Sequence, residues 1–148
     1  MAAAVFLLDR LTKIASRGIP AEGTTLIPGV IGLRYTRNTG MAFSLFSGHP
    51  WLLGLLSLII ITAAFLYLRK KRISRPAMIG LMMMLGGAAG NMVDRFLTGY
   101  VEDMIELLFV RFAIFNIADA ALTIGCVIAA AVLLSGTEQK ESEELEGN

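Results

Sequence analysis

The stretch WLLGLLSLIIITAAFLYL, Trp51 to Leu68, holds 18 residues and no charge. Its length decides the fold class, because a helix that crosses a bilayer needs roughly 17–25 mostly apolar residues. Two further blocks repeat the pattern. Pro76 to Val93 is another uncharged run of 18, and Phe112 to Thr137 is interrupted only by Asp119. In lipid all three must be helical, since hydrocarbon offers no partner for open backbone groups. Composition agrees: 55% of the 148 residues are apolar and 17% charged, against about 25% charge in a soluble domain. Met1 to about Ser16 reads as a fourth helix. It carries Asp9, Arg10 and Lys13, but Asp9 and Lys13 are spaced i, i+4 and share a face that can pair inside a bundle. The expected fold is a mainly α integral membrane protein with four transmembrane helices, about 1–16, 51–68, 76–97 and 113–135, in a single domain over 1–136.

The connections set the orientation. Arg69 to Arg75 is short and holds five of the 13 basic residues, so the positive-inside rule puts it in the cytoplasm. Both termini then lie in the cytoplasm, and residues 17–50 and 98–111 lie on the outer side. Residues 23–47 are rich in strand formers, from Thr24, Thr25, Leu26 and Ile27 through Tyr35 to Phe43–Phe46, punctuated by Gly and Pro. They predict a small extracytoplasmic sheet on the outer membrane face. Trp51 starts the second helix, where an interfacial aromatic belongs. The tail 137–148, with Glu138, Glu141, Glu143, Glu144 and Glu146, is polar and aperiodic, and is expected to be a disordered cytoplasmic segment. The N-terminus lacks a basic n-region before its apolar residues, so no cleavable signal peptide is expected. Gly86 and Gly90 in the third helix are spaced for close helix packing. No internal repeat of the transporter kind is evident.

The net charge of +1 carries no argument for nucleic acid, and one Cys and one His cannot assemble a Cys/His metal set. No metal or cofactor is expected. The polar residues in or beside the apolar blocks are Asp9, Arg10, Lys13, Asn91, Asp94, Arg95, Asn116 and Asp119, with Glu102, Asp103 and Glu106 just outside. Charge at mid-bilayer costs at least about 2.5–3.5 kcal/mol per residue, so groups kept there usually serve a function. In this topology the outer end of the third helix and the outer start of the fourth lie at one depth, and carboxylates from separate elements can meet. Two close carboxylates share one proton: the ionised member takes a proton from water while the other protonates a carbonyl oxygen. That is aspartic proteolysis. Glu102 and Asp103 point differently as sequence neighbours, and spacing alone does not choose between them. A blander reading stands beside this one: Asn116 as a helix N-cap with Asp119 in the first turn, and Asp103 as a solvated loop residue. A small proton-coupled transporter and a non-catalytic assembly factor are the functional rivals. Met82 to Met84 and Cys126 read as packing residues, and His49 as solvated.

Four patches then resemble, in order and over nearly the whole chain, the lipoprotein signal peptidase (signal peptidase II) family of membrane aspartic peptidases. They are Asp9-Arg-Leu-Thr-Lys13; Asn38-Thr-Gly-Met-Ala-Phe-Ser44; Gly86 to Arg95 running into Gly99-Tyr-Val-Glu-Asp103; and Phe115-Asn-Ile-Ala-Asp-Ala120. The resemblance implies that Asp103 and Asp119 are the catalytic pair, which decides against Glu102. It implies support roles for Asp9, Lys13, Asn38, Gly40, Asn91, Asp94, Arg95 and Asn116. It implies cleavage of bacterial prolipoproteins just before a cysteine already carrying diacylglycerol, in the cytoplasmic membrane, by a monomer among membrane lipids, and inhibition by globomycin-type lipopeptides. Met41 departs from the small residue associated with its position.

Overall fold

The structure is a computed structural model and describes residues 1–40, 48–70 and 73–135. Phe43–Phe46, Met41, most of the second family-like patch and the acidic tail lie outside the described residues, as do Lys71 and Arg72. The element order is α1 (Ala2–Ser16), β1 (Thr24–Ile27), β2 (Ile31–Asn38), α2 (Pro50–Lys70), α3 (Arg75–Leu97), β3 (Val101–Leu107) and α4 (Ile117–Ser135). The protein is mostly helical, with one antiparallel sheet in the order β1-β2-β3.

α1 is built inside out. Asp9, Lys13 and Ser16 are buried, while Leu7, Leu8, Leu11 and Ile14 are each more than half exposed. In water that pattern would oppose folding; against lipid tails it satisfies both faces. α2 exposes Leu55, Leu56, Leu58, Ile59, Ile60, Phe65 and Leu66, a nearly all-apolar surface suited to lipid. Among the described residues, α2 and α3 are long and apolar enough to cross a membrane, and the apolar part of α4, Ile117–Val132, is shorter. α1, with 15 residues, spans about 22 Å.

α3 is the central helix, packed against the other three. Ser74 caps its start, accepting a hydrogen bond from the Ala77 N–H, and Pro76 sits in its first turn. The glycine pair serves packing, as its spacing predicts: a Cβ on Gly86 would lie 2.5 Å from the Ala2 carbonyl oxygen, and one on Gly90 2.5 Å from Asp9 Oδ2. The small residues bring the α1 and α3 backbones together, and on the Gly90 side they leave room for a carboxylate. At its C-terminal end α3 stops at Thr98, whose N–H returns to the Asp94 carbonyl. Gly99 then takes the left-handed conformation, φ +77°, and turns the chain into β3.

Two features depart from the expectation. The sheet contains a third strand, β3, within the segment expected only as an outer connection. β3 pairs with β2 from Ile31↔Leu107 to Asn38↔Val101. Helix α4 begins at Ile117 rather than at about 113. Phe115 is extended there because its N–H and C=O exchange hydrogen bonds with Ile105, at 3.1 and 2.8 Å. Local apolarity cannot distinguish a helix start from a strand edge when a neighbouring strand offers a partner.

Candidate active site

The site lies where α1, α3, α4 and the β2–β3 end of the sheet meet. Asn116 is its hub. The N–H of Asp119 donates to Asn116 Oδ1 at 2.9 Å, and the N–H of Asn116 donates back to Asp119 Oδ2 at 3.2 Å. This is a reciprocal cap of the capping-box kind, with an Asn/Asp pair. The cap reading of Asn116 and Asp119 is therefore realised, whereas Asp103, the alternative solvated loop residue, is buried in β3. The side-chain amide of fully buried Asn116 also donates to Asp103 Oδ1, at 2.7 Å. One residue thus contacts both acidic side chains.

Each carboxylate has a further amide donor. Asn91 Nδ2 donates to Asp119 Oδ1 at 2.8 Å, and Asn38 Nδ2 donates to Asp103 Oδ2 at 3.1 Å. Asn38 is set in turn by the Gly40 N–H on its Oδ1, and the Gly40 carbonyl accepts from Arg95 Nη2. Strand register explains the Asn38–Asp103 contact: Asn38 pairs with Val101, so Asp103 is its diagonal neighbour across the strands. Asp103 is fully buried and Asp119 half-buried, so the pair is open on the Asp119 side. Burial, and then the nearby Asp119 charge, push the Asp103 carboxyl up to about 7, against the opposing pull of its Asn38 and Asn116 donors.

Beneath the pair lies a charge cluster with two members of each sign. Lys13 Nζ contacts Asp9 Oδ2 at 2.8 Å and Asp94 Oδ2 at 2.7 Å, while Arg10 contacts Asp94 Oδ1 at 2.6 Å and Asp9 Oδ2 at 3.2 Å. Asp9 Oδ1 accepts from the Ala118 N–H, in the first turn of α4. Lys13 also donates to Asn91 Oδ1 at 2.9 Å, which leaves Asn91 Nδ2 free to face Asp119. Charges buried this deeply are tolerated only when paired and hydrogen-bonded.

The fold gathers every residue expected at the site. Asp9, Lys13, Asn38, Gly40, Asn91, Asp94, Arg95 and Asn116 form one connected network with the acids Asp103 and Asp119. Glu102, the alternative acid, is turned away. It is held by Arg17 Nε at 2.9 Å, Arg17 Nη2 at 3.2 Å and the Tyr35 hydroxyl at 3.0 Å. Successive residues of a strand point to opposite faces, so Asp103 faces Asn116 while Glu102 ties the sheet to the end of α1. Sequence reasoning assigned no role to Arg10, Arg17 or Tyr35. A charge within an apolar helix was the available signal for Arg10; Arg17 and Tyr35 carry none, because their partner depends on the sheet.

A family model described as "Signal peptidase (SPase) II" matches residues 1–135. A protein of Thermosynechococcus vestitus named lipoprotein signal peptidase is 43% identical over 128 residues, covering 80% of this chain and 79% of that one. One of the same name from Lactobacillus johnsonii is 36% identical over 138 residues, covering 91% and 90%. A solved structure described as a bacterial membrane enzyme superposes with a TM-score of 0.85 at 32% identity, covering 94% of this chain and 88% of that one.

Proposed function

The chain belongs to the signal peptidase II family, and from that membership we propose that Asp103 and Asp119 are the catalytic pair with which it cleaves diacylglyceryl prolipoproteins. It is a protease that removes signal peptides from prolipoproteins, and it is a membrane enzyme. The observation that carries the dyad is the double engagement of Asn116, which donates to one carboxylate by its side chain and to the other by its backbone.

The pair holds one proton, and its titration belongs to both members. The ionised carboxylate accepts a proton from a water molecule as the water oxygen attacks the scissile carbonyl carbon. The protonated carboxyl gives its proton to the carbonyl oxygen. The tetrahedral diol then collapses, the C–N bond breaks, and a proton passes to the leaving amine. Asn38, Asn91 and Asn116 keep the oxygens oriented. The Asp9–Arg10–Lys13–Asp94 cluster holds α1, α3 and α4 in place beneath them.

We place four spans in the cytoplasmic membrane, with both termini cytoplasmic and the dyad near the extracytoplasmic face. Support comes from the basic 69–75 connection and the inside-out burial of α1. The peptidase domain covers 1–136 and the acidic tail 137–148. The enzyme acts as a monomer, and a globomycin-type lipopeptide competes with the substrate at the dyad. The test is cleavage of a diacylglyceryl prolipoprotein by the reconstituted enzyme: wild type releases the signal peptide, and Asp103→Asn and Asp119→Asn do not. Cleavage by either variant at the wild-type rate refutes the assignment.

A further inference from the structure

The sheet has two chemically different ends. At one, Asn38 and Asp103 are drawn into the site. At the other, about 20 Å away along the strands, the β1–β2 turn and the segment after β3 form an apolar tip. Ile27, Val30, Leu108, Phe109 and Phe112 are all more than 40% exposed there, Phe109 at 67%. The two segments are joined, since the Leu108 N–H donates to the Val30 carbonyl at 3.0 Å. Exposed Arg111 lies between the two phenylalanines in sequence.

We propose that this tip is a second membrane anchor, inserting Phe109 and its apolar neighbours into the outer leaflet and setting Arg111 at the lipid phosphates. Three observations select lipid as the occupant. The tip is continuous in sequence with α4, whose first turn follows Phe112 by five residues, and Phe112 packs edge-on against Phe115 at 6.0 Å. The helices already present apolar side chains outward. Aromatic rings beside an arginine suit the interfacial layer, where rings sit at headgroup level and a guanidinium meets anionic phosphate. The sheet would then be held at both ends, by Asp103's contacts at one and by the bilayer at the other.

The anchor rests on the membrane layout proposed above, and the test separates the two. Phe109→Cys, Ile59→Cys on α2 and Glu22→Cys in the β1 approach are each made in a Cys126→Ala background and nitroxide-labelled. Each is reconstituted in phosphatidylcholine–phosphatidylglycerol vesicles, and collisional access to oxygen and to a water-soluble nickel chelate is read by EPR. The expected result is a lipid-like ratio at 59 and 109 and a water-like ratio at 22. A water-like ratio at 109 with a lipid-like one at 59 overturns the anchor and leaves the layout. Water-like ratios at both overturn the layout as well. Spin–spin broadening at 109, or protection only when a diacylated peptide is added, assigns the tip to a second copy or to substrate and overturns the proposal. Phe112→Cys repeats the measurement should the first variant fail to fold.

Discussion

Asn116 and Asp119 hold each other by two reciprocal hydrogen bonds, of 2.9 and 3.2 Å, at the first turn of α4. The cap fixes where the helix starts, and the same cap aims a carboxylate. Asn116→Ser separates the two duties. Serine is a good N-cap, so the melting temperature in detergent should stay near wild type, whereas loss of the amide on Asp103 should lower kcat roughly 10–100-fold with little change in KM. Asn116→Ala should lose the cap as well, at about 1 kcal/mol. Equal kcat values for Asn116→Ser and wild type would show that the amide does not orient Asp103.

Asp103→Asn and Asp119→Asn should each reduce kcat by at least about 10³-fold, because the members of a catalytic unit fail together. Membrane insertion should persist, since both changes keep the side-chain shape. The double variant should be no worse than either single one, which single-turnover kinetics would reveal.

Activity should fall on the alkaline side. The mechanism needs one proton on the pair, and the Asp103 carboxyl, raised to about 7 by burial and by Asp119, loses it as pH climbs through that value. The kcat/KM profile should therefore show an alkaline limb near pH 7 in the free enzyme. Removing the like charge with Asp119→Asn should move the Asp103 titration downward, measured by carbon-13 NMR of the labelled carboxyl. An unchanged midpoint would mean that the two acids do not interact.

Lys13→Met should destabilise the protein by about 3–5 kcal/mol, since it leaves buried Asp9 and Asp94 with Arg10 as the remaining cation of the cluster. Thermal unfolding in detergent reads the loss. The second variant Asp9→Asn/Lys13→Met, which removes one charge of each sign, should recover part of it; no recovery would argue against charge pairing as the cause.

Chelators should leave cleavage intact. Among the described residues no group of three or more His, Cys, Asp or Glu side chains is placed to hold a metal ion. Strong inhibition by EDTA, reversed by added zinc or magnesium, would contradict the dyad mechanism.

The helices were legible because their signal is local. Uncharged runs of 18 residues have one outcome in lipid, and the i, i+4 spacing of Asp9 and Lys13 already brings the two to one face. Asn116 and Asp119 were likewise legible as a cap, being three residues apart. The choice between Glu102 and Asp103 was not legible from spacing: it came from family resemblance, and the geometry supplies the reason. Which face a strand residue presents is set by its register with a distant partner, here β2, and by where Arg17 and Tyr35 stand.

By itself, then, the order of residues determined the apolar helices, the polar side chains embedded in them and the cap at the start of α4, since each depends on neighbours within a turn or two. Tertiary structure decided that residues 101–107 form a strand, that α4 starts at Ile117 and that the carboxylate of Asp103 rather than that of Glu102 meets the Asn116 side chain that caps Asp119. Those outcomes rest on hydrogen bonds between segments more than 60 residues apart, such as Asn38 to Asp103, and on a backbone pairing between Ile105 and Phe115. No local pattern encodes such partners, because their energy exists only once the chain has closed on itself.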